Sequence, residues 1–193
     1  MTAVYKRELR SYFTSMVGYV FIAILIFFVG IYFMAYNLFQ GDAYFSTALG
    51  ATLFVLMVLV PILTMRSMAE ERRSRTDQLL LTSPVSVWGV VLGKFFAMCA
   101  VFALPCLVDA VMILVLAALG ASGIATAANF AALLCYFLMG CAAIAIGVFL
   151  SSLTENQIIA AVAGVAALLL AYMMPSLRNL FTAGSAVALA LFT

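Results

Sequence analysis

At 193 residues, with 68% hydrophobic side chains, 8% charged ones and no histidine, the chain excludes an ordinary soluble domain, whose apolar share is roughly 45–50%. The length suits one all-α integral membrane domain, a polytopic helix bundle over residues 1–193. A net charge of +2 gives no reason to expect a nucleic-acid partner, so position rather than sum of charge carries the information.

The first predicted element is an amphipathic helix over residues 1–14. Tyr5, Leu9, Tyr12 and Phe13 share one face at i, i+4, i+7 and i+8, and Lys6, Arg7 and Arg10 lie off it. That pattern lies in the membrane interface with its basic side toward anionic lipid headgroups, or serves as a plain positive anchor. It is not a signal peptide, because the apolar run behind it is long enough to stay in the membrane. Residues 17–35 carry no charge and approach the roughly 20 needed to cross the hydrocarbon core. A polar turn over 36–45, with Asn37, Gln40, Gly41 and Asp42, leads to a second span over 47–64, which Pro61 is expected to kink.

Residues 65–86 break the apolar pattern. Arg66, Glu70, Glu71, Arg72, Arg73, Arg75 and Asp77 hold close to half of the chain's charge. Glu70 and Glu71 precede Arg73 and Arg75 at helical ion-pair spacings, and Leu79, Leu80 and Leu81 follow. Charge followed by leucine suits a plug for a groove on a soluble partner, and equally a solvated loop whose leucines lie back on the membrane.

Trp88 anchors a third apolar run, 88–119, longer than one crossing, so tilt or a kink near Pro105 is expected. A small-residue turn over 120–126 precedes a fourth span, 127–150. A polar turn over 151–157 precedes a fifth, 158–174, ending at Pro175. The tail 175–193 is expected to be extracellular or re-entrant, or the start of a truncated sixth span. With the N-terminus cytoplasmic, eight of the nine basic residues fall on the cytoplasmic side and only Arg178 outside, as the positive-inside rule requires.

Other candidates weigh less. Asp109 is the one acid deep in an apolar span; it is read either as part of a substrate path or as a protonated or hydrogen-bonded residue near the outer boundary. The run from Gly89 to Lys94 fails as a phosphate loop, having three residues between its glycines and Phe95 after the lysine. Lys94 is therefore expected to snorkel to the interface. Asn156 is expected to cap the fifth helix, beside Glu155. Ala142, Ala143, Ala145, Gly147, Ala160, Ala161 and Gly164 are expected to let the fourth and fifth helices pack closely. Cys99, Cys106, Cys135 and Cys141 match no metal spacing and read as packing residues. With no nucleophile–base set or metal cluster in the sequence, no catalysis and no bound cofactor or metal are expected of the chain.

One resemblance sharpens the charged segment. The runs Pro61-Ile62-Leu63-Thr64-Met65-Arg66 and Ala69-Glu70-Glu71-Arg72-Arg73, then Thr76, Leu79-Leu80-Leu81-Thr82, Pro84-Val85 and Gly93-Lys94-Phe95, resemble the membrane subunits of type-2 ABC transporters. The likeness is nearest to the branch of gliding-motility and copper-enzyme-maturation permeases. Arg75 stands where many relatives have glycine and Gln78 where many have glutamate. The resemblance implies that residues 65–86 form a coupling helix docking into a cytosolic ABC ATPase subunit, with Glu71, Arg72, Thr76, Leu80 and Pro84 at the contact. The N-terminal helix would be the connecting helix. ATP and Mg would sit on the partner subunit, and the permease would pair as a homodimer or heterodimer in the inner (cytoplasmic) membrane. The family usually has six spans, and the likeness leans toward export. The competing expectation is a membrane anchor or assembly subunit that recruits an ATPase without forming a path.

Overall fold

The computed structural model describes residues 2–73, 87–118 and 126–192, with side chains for 4–65, 67, 88–118 and 126–174. The α-helices among the described residues are, in chain order, α1 (Thr2–Thr14), α2 (Met16–Tyr32), α3 (Phe45–Arg73), α4 (Val87–Ala118), α5 (Thr126–Leu153) and α6 (Gln157–Phe192). No strand occurs among the described residues. Five of these helices, all but α1, are long and apolar enough to cross a membrane. The chain is an all-α polytopic bundle.

The buried positions of α2 explain how it ends. Phe21, Leu25, Val29, Phe33 and Asn37 are buried at a strict spacing of four. A 3.6-residue helix would rotate such a stripe away from the core within a few turns. The chain instead widens into a π-helical segment, Phe33–Phe39, whose longer turns keep Phe33 and Asn37 facing inward. The span therefore runs to Phe39, a turn beyond the expected end at residue 35. Gly41, at φ +72°, supplies the left-handed residue that reverses the chain. The Asn37 side chain donates to the carbonyls of Asp42 (2.8 Å) and Tyr44 (3.3 Å). Asp42 accepts from the Tyr44 amide (3.0 Å) and the Thr47 hydroxyl (2.7 Å). Those two bonds, the amide first, hold its carboxyl below the usual range and keep it ionised.

The second span, α3, is the centre of the bundle. It touches α2, α4, α5 and α6, and 56% of its membrane window is buried against 17% for α6. Leu56, Val60 and Leu63 are fully buried on it and belong to one apolar core with Met98, Phe102 and Ile144 of other helices. The large exposed side chains, such as Phe27, Phe54, Leu107, Leu114, Phe149 and Val162, lie on the outer surface, where lipid is the expected solvent. The start of α3 is capped from another helix: buried Asn129 of α5 accepts from the Phe45 amide (3.0 Å) and donates to the Ala43 carbonyl (3.1 Å). Asn156 accepts from the Ile158 amide (3.0 Å), the expected cap on α6.

One expectation is corrected. The helix does not stop at Pro175: α6 runs on to Phe192, while its apolar crossing window, Gln157–Met174, ends where the fifth span was expected to end. Pro61 lies inside α3, which continues past it to Arg73, since a proline removes one hydrogen bond without ending a helix that its neighbours hold. The small residues also pack differently. A Cβ on Gly147 would collide with the Thr64 side chain, and one on Gly164 would lie 2.9 Å from the Pro61 Cβ. Both glycines admit α3, not merely each other's helix, while Ala142 and Ala145 are exposed.

Gly147→Ala should therefore lower bundle stability by about 1–3 kcal/mol through overpacking. Gly50→Ala, in α3 with open space around it, should instead be neutral or gain roughly 0.5–1 kcal/mol from helix propensity. Thermal unfolding of the two variants in the same detergent checks the difference in sign.

Candidate functional site

The site is built where α1, α3 and α4 meet. The packed face of α1 is turned from the expected one: Val4, Tyr5, Glu8, Leu9 and Tyr12 are half-buried or buried, while Phe13 is exposed. That rotation brings in Glu8, the only acid of the helix. The reason lies opposite, in α4. Gly93 lets α1 sit close, with a Cβ there meeting Val4 Cγ1 at 3.2 Å. Lys94 beside it is covered, its side chain 2% exposed.

Lys94 therefore does not snorkel, because α1 lies across its way out. Its ammonium donates to the Ser67 carbonyl of α3 at 2.7 Å and to Glu8 Oε1 at 3.4 Å. Glu8 Oε1 also accepts from Arg7 at 2.9 Å. A buried ammonium without such partners would cost several kcal/mol, so the three helices are held in one arrangement by its need for acceptors. A second clamp lies two residues earlier on α3: buried Ser151 of α5 donates to the Met65 carbonyl at 3.2 Å.

Both clamps grip α3 where it leaves the membrane-spanning window, which ends at Met65. From Ser67 the helix continues to Arg73. Glu71 and Arg72 therefore stand on helical backbone about one turn beyond the Lys94 contact; their side chains, and Thr76, Leu80 and Pro84, lie outside the described residues. Glu8, Ser67 and Ser151 gave no signal in the sequence. Their partners are 86, 27 and 86 positions away, beyond any local pattern.

Asp109 stands about 22 Å further along α4 from Lys94, at 1.5 Å per residue. It is fully buried inside the bundle and neither carboxyl oxygen has a hydrogen-bond partner among the described residues. The hydrogen-bonded alternative is thus not seen. Tyr136 of α5, whose hydroxyl is also buried and unbonded, and Cys106 lie within electrostatic reach. The four cysteines are free, with Cys99 and Cys106 buried, Cys141 half-buried and Cys135 exposed. Among the described residues, no three metal-ligating side chains cluster.

Five helices long and apolar enough to cross a membrane, with the central one continuing beyond its membrane window to Arg73, define a multi-pass membrane protein. The sequence model described as ABC-2 family transporter protein matches residues 40–189, more than three quarters of the chain, and the chain belongs to that family. It is accordingly a permease of the ABC transporter class, and membership implies pairing with an ABC ATPase subunit. No curated protein and no solved structure matches the chain.

Two outcomes follow from the buried charges. Glu8→Leu should destabilise the bundle by about 1–3 kcal/mol because it takes the Glu8 carboxylate away from the buried Lys94 ammonium, and adding Lys94→Met should restore most of that loss; unfolding midpoints of the single and double variants in detergent measure it. Asp109→Leu should leave stability unchanged or raise it by about 1–3 kcal/mol, since it removes an unsatisfied buried group. A marked loss of stability on that substitution would mean the carboxyl has a partner.

Proposed function

We propose that this chain is the membrane subunit of an ATP-driven type-2 ABC exporter in the inner (cytoplasmic) membrane, N-terminus inside, coupled to a separate cytosolic ATPase through residues 65–86. The observation that carries this is the unbroken α3, Phe45–Arg73, gripped at its exit by Lys94 and Ser151. A helix that is central in the bundle and held at its rim is a stiff lever. Load applied near Glu71 and Arg72 enters the core through Ser67, Met65 and Thr64 instead of bending a loop.

Glu71, Arg72, Thr76, Leu80 and Pro84 are the ATPase contact in this reading. ATP and Mg bind the partner, and the permease itself holds no nucleotide. Two copies, or one copy and a related permease, form the path at their interface. Closure of the ATPase pair then tilts the two bundles in opposite senses, with α1 following because Glu8 ties it to Lys94. The order of the motif residues from Pro61 to Phe95 supports the gliding-motility and copper-enzyme-maturation branch.

One observation favours a second reading. Asp109 is enclosed within a single bundle and faces no open path, which suits a membrane anchor that recruits an ATPase without conducting anything. The two readings part on Asp109→Asn in the assembled transporter, which should change transport in the first and leave it untouched in the second.

Affinity purification of the tagged chain from gently solubilised membranes tests the shared core of both. An ABC ATPase should co-purify with the wild type and be lost, by tenfold or more, with Glu71→Lys plus Leu80→Asp. Equal recovery with both chains would remove residues 65–86 from the contact.

A further inference from the structure

Two charged side chains are buried among the described residues, Lys94 and Asp109. The ammonium has Glu8 and the Ser67 carbonyl. The carboxyl has neither an ion-pair partner nor a hydrogen bond among the described residues, and Lys94 lies too far along α4 to serve it. An acid kept this way inside a membrane bundle costs stability, which marks it as a residue with a task rather than a packing residue.

Asp109 is not alone at its depth. Tyr136 of α5 is 4% exposed, and its hydroxyl is also unbonded. It lies within electrostatic reach of Asp109, as does the Cys106 thiol one turn earlier on α4. The bonds at the helix ends set the level of a third polar group. Thr52 precedes Ser67 on α3 by fifteen residues, as many as Asp109 follows Lys94 on antiparallel α4, so the Lys94–Ser67 bond puts Thr52 and Asp109 at one depth. The Phe45–Asn129 bond, across 84 positions, puts Thr52 level with Tyr136 as well. Thr52 is fully buried, and its hydroxyl donates to the Ala48 carbonyl at 2.8 Å while its oxygen keeps acceptor capacity.

Phe102 closes this layer on the side of Lys94. Its ring lies where a Cβ on Gly140 would stand, stacks on Phe137 at 5.7 Å and tilts against Tyr136 at 5.9 Å. It also meets Phe21 of α2 edge-on at 6.4 Å. Packing on Phe102 keeps the Tyr136 ring, and with it the unbonded hydroxyl, inside the bundle.

The unmet groups are oxygens, two of a carboxyl and one of a phenol, in an apolar enclosure. A proton would neutralise the carboxyl but leave its new O–H and the phenol without partners, since the two groups are not hydrogen-bonded to each other. A divalent ion would exchange one uncompensated charge for another, and calcium asks for about six to eight oxygens. A soft ion would want thiolates in place of these oxygens. A small, hard monovalent cation cancels the carboxylate charge and accepts all three oxygens as ligands. We propose that Asp109 and Tyr136 bind one such cation, of sodium's size and charge, between α4 and α5 at the depth of Thr52. The site goes beyond the transport reading and does not depend on it.

Thermal unfolding of the purified chain in detergent, in sodium chloride or choline chloride at equal ionic strength and pH, tests this. The expected result is a melting temperature higher in sodium by about 3 °C or more, the shift that tenfold saturation gives a chain of this length. Asp109→Asn should unfold cooperatively in both salts with no sodium-dependent rise. Tyr136→Phe should need about fivefold more sodium to reach half of its rise. Glu155→Gln, which removes an exposed carboxylate between α5 and α6, should leave the rise unchanged. Choline is too large for the enclosure and keeps the carboxyl unloaded, and it is there that Asp109→Leu gains stability. Equal melting temperatures in sodium and choline would overturn the site, as would a sodium-dependent rise that survives Asp109→Asn. A melting temperature that follows pH and ignores sodium would show that the carboxyl takes a proton instead, and would overturn it too.

Discussion

The ammonium of Lys94 constrains the rest of the structure. Sealed at 2% exposure, it must find acceptors within the protein, and it takes them from two other helices, Glu8 on α1 and the Ser67 carbonyl on α3. Apolar packing alone would tolerate sliding of these helices, because membrane helices gain little from burying one apolar surface against another. A charge that loses several kcal/mol when a partner leaves does not tolerate it. The register of α1 on α4, the choice of Glu8 as a packed residue and the position of α3 at its exit all follow.

That junction lies on the most buried helix of the bundle. Every other crossing helix packs against α3, and Gly147 and Gly164 bring α5 and α6 into close contact with Thr64 and Pro61. Asn129 fixes its first turn, and Ser151 with Lys94 fix its last turns in the membrane. A helix held at both ends and along its length moves with its neighbours or not at all. On the proposed function this is what an ATP-driven permease needs: the element that meets the ATPase is also the element around which the bundle is assembled.

Hydropathy and charge made the spans, their number and the charged segment legible in the sequence, because lipid imposes length and apolarity on each crossing helix directly. The Asn156 cap was legible too, being a local bond between an asparagine and an amide two residues on. What failed was everything set by distant partners. Lys94 read as a snorkelling lysine since nothing near it in sequence says that α1 will cover it, and Asn129 gave no hint that it caps a helix 84 positions earlier. Proline misled at Pro175 because its breaking power was taken as decisive. The widening of α2 into a π-helical end was readable in principle, from the four-residue spacing of Phe21, Leu25, Val29 and Phe33. Of the candidate contact residues, Glu71 and Arg72 fall on the helical end of α3, and Thr76, Leu80 and Pro84 lie outside the described residues.

The claim that Lys94 makes α1 and the exit of α3 one body can be measured by the distance between them. Spin labels at positions 6 and 73, in a chain whose four native cysteines are replaced by alanine, report it by pulsed electron resonance in lipid nanodiscs. The account predicts a single narrow distribution that broadens on Lys94→Met while the chain remains folded. The same narrow distribution in both proteins would show that packing alone sets the arrangement, and would contradict it.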